Sequence, residues 1–304
     1  MVKNYLILLF LILTGIIFFW YEIYWPKNFQ LTENELFLVQ KGQSLFEIAE
    51  NLEKERLIKN KFFFDLYVIL KGKEKRLQAG EYFLSPSESI AGTAKKIISG
   101  DIAKIVVTIP EGFTIKQIEQ RLGLELPGEN LEGFLFPDTY EFPLGVSGEE
   151  IVKKMKDNFD KKLTPDLREE IERQKKTIFE IVTMASMIEK EVKTYEDKEL
   201  VSGILWKRLK NNIPLQVDAT LTYITGKKTT KISIEETQID SPYNTYKYLG
   251  LPPGPICNPG IDSIKAAIYP KNSNYWYYLS IPEGKTIFSK TLEEHNAVKA
   301  RYLK

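Results

Sequence analysis

The run Ile178-Phe179-Glu180-Ile181-Val182-Thr183-Met184-Ala185-Ser186-Met187-Ile188 is apolar on nearly every face and ends on a carboxylate, Glu189. At about 100° per residue, Glu189 shares a stripe with Ala185, Val182 and Val192, whereas Lys190 and Glu191 leave it. A carboxyl on a buried stripe is desolvated, which favours its neutral form and suits it to general acid work at neutral pH. The charges that follow, Lys190, Glu191, Lys193, Glu196, Asp197 and Lys198, leave a second reading open, in which Glu189 begins a solvated helix end.

Further groups lie downstream. Gln216, Asp218 and Asn244 offer paired donors and acceptors suited to sugar hydroxyls and acetamido groups, and Tyr246 offers a flat face and a hydroxyl. Asn258, before Pro259-Gly260, either contacts substrate or caps a turn. Glu132 and Asp138 are possible second carboxylates, with an exposed structural role as the alternative. Leu251-Pro252-Pro253-Gly254-Pro255 reads as a rigid groove wall. The single cysteine, Cys257, and single histidine, His295, exclude a Cys/His zinc cluster and an intrachain disulfide, so no metal and no cofactor is expected. With 42 Lys+Arg against 41 Asp+Glu the chain is not a polybasic nucleic-acid binder.

These residues must be positioned by a chain of 304 residues, 43% hydrophobic, enough for a sizeable core and about two domains. Strand-like Leu36–Val39 leads into Lys41-Gly42-Gln43-Ser44 and an amphipathic segment, Leu45 to Leu57, with Ser44 and Glu47 spaced as a capping box. Helices are expected over Lys61–Leu70 and Ser89–Ile98, the latter ended by Gly100, and strands over Glu81–Leu84 and Ile105–Ile109. Pro110-Glu111-Gly112-Phe113-Thr114-Ile115 then repeats the earlier pattern of strand, glycine turn, hydroxyl cap and helix. From Ser147 helices dominate: Glu149–Phe159, Thr164–Gln174, Thr177–Val192 and Glu196–Lys210. The last 90 or so residues are rich in Tyr, Pro, Asn and Gly and read mainly as loops carrying binding residues. Tyr275-Trp276-Tyr277-Tyr278 alternates as a strand would.

Tyr5 to Tyr21 carries no charge and is dominated by Leu, Ile and Phe, at the short end of what spans a bilayer. Trp20, Tyr21, Tyr24 and Trp25 border its far end, as interfacial aromatics do, with Lys3 on the near side. The absence of small residues at its end favours an uncleaved anchor over a signal peptide, with the N-terminus cytoplasmic.

The strand, Gly-x-Ser/Thr and helix pattern resembles the LysM module, a glycan-binding fold. A wider set of strings resembles the YceG-like family of endolytic murein transglycosylases: Ala185-Ser186-Met187-Ile188-Glu189-Lys190-Glu191; Leu131-Glu132-Gly133-Phe134-Leu135-Phe136-Pro137-Asp138-Thr139-Tyr140; Leu215-Gln216-Val217-Asp218-Ala219-Thr220; Ser241-Pro242-Tyr243-Asn244-Thr245-Tyr246; and Gly250 through Gly260.

The resemblance implies an α+β fold: an anchor in residues 1–25, a LysM-like module in 26–105, and a helix-rich catalytic domain in 106–304. It implies a single-pass enzyme of the bacterial inner membrane, with its catalytic domain on the periplasmic side. That enzyme would cut the β-1,4 bond between N-acetylmuramic acid and N-acetylglucosamine in nascent peptidoglycan and leave 1,6-anhydromuramoyl ends. Glu189 would be the catalytic acid, Gln216, Asp218, Asn244, Tyr246 and Asn258 the substrate contacts, and the peptidoglycan synthases (penicillin-binding proteins) the partners. Two alternatives stay open: a hydrolase using two carboxylates, and a non-catalytic wall-binding scaffold for synthases.

Overall fold

A computed structural model describes residues 2–227, 232–281 and 284–302, with side chains from residue 5 onward, so the side chain of Lys3 lies outside the described residues. Among the described residues the fold is mixed α+β, with twelve α-helices and three two-stranded sheets. The chain divides into two compact units, 1–106 with 141–146, and 107–140 with 147–304.

The first unit begins with α1 (Val2–Tyr24), a helix whose apolar window Tyr5–Tyr24 is long enough to cross a membrane. Strands β1 (Glu35–Val39) and β2 (Gly80–Leu84) pair antiparallel from Glu35↔Leu84 to Val39↔Gly80. Between them come α2 (Leu45–Lys54) and α3 (Lys61–Leu70), and after them α4 (Ile90–Ser99). The capping box at Ser44 and Glu47 forms. Asn60 and Ser89 cap the next two helices, and Gly100 ends α4 in the left-handed region at φ 68°. Helix α2 stops before Leu57 because the chain turns sharply at Arg56, φ 62°, to drop Leu57 into the core. That core holds Phe37, Val39, Ile48, Leu52, Phe64, Val68, Tyr82, Leu84 and Ile97.

Strands β3 (Lys104–Thr108) and β4 (Thr139–Pro143) form a ribbon across which the division between the units runs. In the second unit α5 (Ile115–Leu122) is followed by α6 (Gly148–Lys162), α7 (Pro165–Arg173), α8 (Ile178–Glu191) and α9 (Tyr195–Lys210). The segment read as loops contains α10 (Asp218–Thr225), α11 (Ile261–Ile268), the antiparallel pair β5 (Tyr277–Ser280) and β6 (Thr286–Ser289), and α12 (Leu292–Tyr302). Helices α10 and α11 are eight residues each with no side-chain cap, so local signals for them are weak.

Helix α8 is the centre of this unit, with every residue from Ile181 to Ile188 buried and α7, α9, α10 and α11 packed around it. Its apolar run is therefore explained by burial on all sides. Helix α9 comes close to the Lys271 backbone at Gly203, where a Cβ would stand 2.0 Å from the Lys271 carbonyl oxygen.

Candidate active site

The polar end of α8 separates its two glutamates. Glu189 turns toward the start of α11, where its Oε2 accepts from the Gly260 N–H (3.0 Å) and the Ser263 hydroxyl (2.6 Å). Gly260 is the N-cap of α11 and supplies no side chain. Glu189 thus caps that helix from a distance, a favourable place for negative charge. The Lys198 ammonium lies 3.4 Å from both carboxylate oxygens, and this pair is sealed in, with side chains 5% and 9% exposed. Helix burial did bring Glu189 out of water, as its stripe implied, but with a cation and two donors for company. Glu111 stands beside this pair, its carboxyl pushed up by burial first and the Glu189 charge second.

Glu191, half-buried, turns the other way. Its carboxyl accepts from the Ala219 N–H at the start of α10 and from the Tyr278 hydroxyl on β5. Burial first, and the neighbouring Asp218 second, push it up to about 7, and the two hydrogen bonds only partly oppose this. Asp218 is itself pushed upward by burial, against the pull of a short hydrogen bond from the Tyr246 hydroxyl. Burial also holds the Tyr246 and Tyr278 hydroxyls above the ordinary tyrosine value, so both remain donors at neutral pH.

Backbone pairing brings this group together from distant segments. The Gln216 N–H donates to the Thr245 carbonyl (3.1 Å) and the Val217 N–H to the Thr245 hydroxyl (2.9 Å). Asp218 and Tyr246, which follow those positions, are thereby set side by side. Arg208, buried at the end of α9, donates to the Pro214 carbonyl (3.0 Å) and to the Gln216 side-chain oxygen. Gln216 is exposed and sits at φ 55°, a left-handed conformation uncommon for a side-chain-bearing residue. Its amide nitrogen is left pointing free of this bond, available to a ligand.

The structure therefore brings Asp218 and Tyr246 to Glu191, which the sequence reading turns away from the site, and holds Gln216 against Arg208 and Thr245, two residues before Asp218. It does not gather the two asparagines as free groups. The buried Asn244 amide donates to the Thr237 and Ile239 carbonyls (3.0 and 2.8 Å) and accepts from the Tyr246 N–H (3.0 Å). That fixes the loop carrying Tyr246. The buried Asn258 amide donates to the Phe113 carbonyl (2.9 Å) and Glu132 (3.2 Å) and accepts from the Leu135 N–H (2.9 Å). It clasps three segments together, with both amide hydrogens donated and the amide oxygen accepting one bond. Glu132, which also accepts from the Ile115 N–H, is pushed by burial to about 7. Asp138 is exposed to Lys162 at 3.3 Å and to Asn158, whose hydrogen bond chiefly lowers it.

Nothing in the pattern around Glu191 could have been read locally, because its partners Asp218, Tyr246 and Tyr278 lie on three other segments. The one legible signal was that Gln216, Asp218 and Tyr246 were all chemically suited to sugar. No cluster of three potential metal ligands occurs among the described residues.

Comparison with known proteins gives this geometry a context. A family model described as the YceG-like family matches residues 37–301. The chain is 32% identical over 303 residues to the endolytic murein transglycosylase of Bacillus subtilis, covering 87% of this chain and 84% of that protein. It is 30% identical over 313 residues to an endolytic murein transglycosylase of Streptococcus pneumoniae, covering 85% of this chain and 56% of that longer protein, of which it spans about half. A crystal structure of a YceG-like protein from Listeria monocytogenes, 34% identical, superposes with a TM-score of 0.60 over 88% of this chain and 99% of the other.

Proposed function

The chain belongs to the YceG-like family, and from that membership we propose that it is an endolytic peptidoglycan lytic transglycosylase whose general acid is Glu191. The observation that carries the residue assignment is the Glu191 carboxyl pushed up to about 7 by burial and by Asp218, beside polar groups suited to sugar. The sequence reading favoured Glu189. Its ion pair with Lys198 and its two further donors suit it instead to joining α8 to α11.

In the proposed reaction neutral Glu191 gives its proton to the glycosidic oxygen as the bond from that oxygen to the muramoyl anomeric carbon breaks. The resulting carboxylate then takes the proton of the muramoyl 6-hydroxyl, whose oxygen bonds to the anomeric carbon. Atoms balance without water, and Glu191 ends protonated. The attack is intramolecular, so it draws on a high effective molarity. Asp218 keeps Glu191 protonated near neutrality. The hydroxyl of Tyr246 holds Asp218, and Gln216, braced by Arg208, offers its amide N–H to an acetamido or hydroxyl oxygen. Asn244 and Asn258 act on substrate through the segments they fix.

Helix α1 is proposed as a single-pass anchor in the bacterial cell membrane, with the second unit, the catalytic one, outside, within reach of nascent strands and of the synthases that make them. Cutting there would terminate strand elongation. A LysM-like, glycan-holding role for residues 26–105 rests on the strand, capped helix, helix, strand order of the first unit.

A second reading is favoured by one observation, the second carboxylate at Asp218: a two-carboxylate hydrolase. Digestion of uncrosslinked glycan strands in ¹⁸O-labelled water separates the two. Anhydro ends free of label are expected. Labelled reducing ends as the first product would leave the hydrolase standing, and no cleavage would leave a scaffold.

A further inference from the structure

Helix α3 carries an outward stripe with no polar residue in it: Phe62, Leu66, Ile69 and Leu70, at spacings of four, seven and eight. Phe62 and Leu70, at its two ends, are 62% and 66% exposed. The opposite face, Phe64 and Val68, is buried in the core of the first unit. A helix that is apolar on both its inner and outer faces has more greasy surface than its own unit can cover.

What covers the outer face follows from the neighbour of α3. Phe63 meets Phe18 and Phe19 of α1, with ring centroids 5.9 and 6.0 Å apart, and Tyr67 meets Tyr24 at 6.3 Å. Ile23 is buried, and Lys59 lies 4.0 Å over the Tyr21 ring. The last turns of α1 are thus built into the first unit. Phe18 lies six residues before Tyr24, about 9 Å along the axis at ~1.5 Å per residue, and so well inside the apolar window Tyr5–Tyr24. Any bilayer around that window reaches Phe63, and with it α3. Basic residues stand at both ends of α3: Lys59 before it and Lys61 as its first residue, and Lys71, Lys73, Lys75 and Arg76 after it. Basic flanks and an apolar stripe are what an interfacial helix presents to anionic headgroups.

We infer that α3 is an interfacial helix, lying in the outer leaflet boundary with Phe62, Leu66, Ile69 and Leu70 in lipid, so that the first unit is moored to the membrane at two points. This rests on the reading of α1 as a membrane span. A moored unit would not swing about the end of α1, and its height above the bilayer would be set.

The test uses the full chain in vesicles of phosphatidylcholine and phosphatidylglycerol, with an environment-sensitive fluorophore on Phe62→Cys, Leu70→Cys or, separately, Leu11→Cys. Cys257 is fully buried, and the unsubstituted chain checks that it stays unlabelled. Lipids carrying a shallow spin label should remove most of the fluorescence at positions 62 and 70, and deep-labelled lipids should act mainly at position 11. Quenching at 11 with water-like emission at 62 and 70 would overturn the inference and leave the anchor intact. Blue-shifted but unquenched emission at 62 and 70 would mean that a second copy of the chain covers the stripe, and would overturn it too. An unquenched position 11 would refute the anchor itself and the mooring with it.

Discussion

Glu189 and Glu191, two residues apart at the end of α8, each meet the start of a different helix. Glu189 accepts from the Gly260 N–H and the Ser263 hydroxyl at α11, and Glu191 from the Ala219 N–H at α10. Two residues correspond to about 200° of rotation, so the pair point to nearly opposite sides. What distinguishes them is the rest of their company: an ammonium for Glu189 and a second carboxylate for Glu191.

Substituting each in turn should give different kinds of loss. Glu191→Gln should remove strand cleavage by at least the ~10²- to 10⁴-fold typical of one acid-base group, with thermal unfolding little changed. Glu189→Gln leaves Lys198 buried without its counter-charge and should cost about 3–5 kcal/mol of stability. Anhydro-product assays beside thermal denaturation read both. A stable but inactive Glu189→Gln protein, with Glu191→Gln active, would return the acid role to Glu189.

The pH dependence follows from the same carboxyl. A general acid must be protonated, so turnover should fall as pH rises through about 7, where Glu191 ionises. Removing the neighbouring charge with Asp218→Asn should lower that value and move the alkaline limb of the rate profile to lower pH. Stability carries the same sign. A carboxyl raised from 4.5 to about 7 contributes stability that is complete below 4.5 and is lost as pH rises through about 7. Glu132 adds an equal-signed contribution, so the rate profile is the readout specific to Glu191.

At Gln216 backbone and side chain make opposite demands. Gln216→Ala keeps the left-handed strain and loses the Arg208 bond, so KM should rise more than kcat falls. Gln216→Gly loses the same side chain but relieves a strain of about 1 kcal/mol, and should unfold at a higher temperature than Gln216→Ala. Equal unfolding temperatures for the two would show that φ 55° is not costly here.

Asn258→Ala should act as a folding defect. It leaves the Leu135 N–H without its acceptor, at about 1–3 kcal/mol for an unsatisfied buried group, and takes one of two donors from the Phe113 carbonyl and from the Glu132 carboxyl. Chemical denaturation should register the loss. A fully stable variant with weakened glycan binding would instead make Asn258 a direct contact.

Much of the framework was legible because it is locally encoded. Ser44 with Glu47 forms the capping box expected from its spacing, Ser147 with Glu150 and Thr177 with Glu180 form two more, and the apolar run of α8 is the centre of its unit. Residue types also marked Gln216, Asp218 and Tyr246 as groups for a polar ligand, and of these Asp218 and Tyr246 meet directly. The sequence could not say which glutamate they surround. That choice depends on the Thr245 contacts that bring residues 216–218 to 245–246, on the start of α10 and on β5. By itself the sequence determined the helices up to residue 210, which of their faces would be apolar and which chemical groups were available, but not the short helices α10 and α11 or α12. Only the tertiary structure decided that Lys198 meets Glu189 while Asp218 meets Glu191, because the charge state of a buried carboxyl is set by groups brought near it through space.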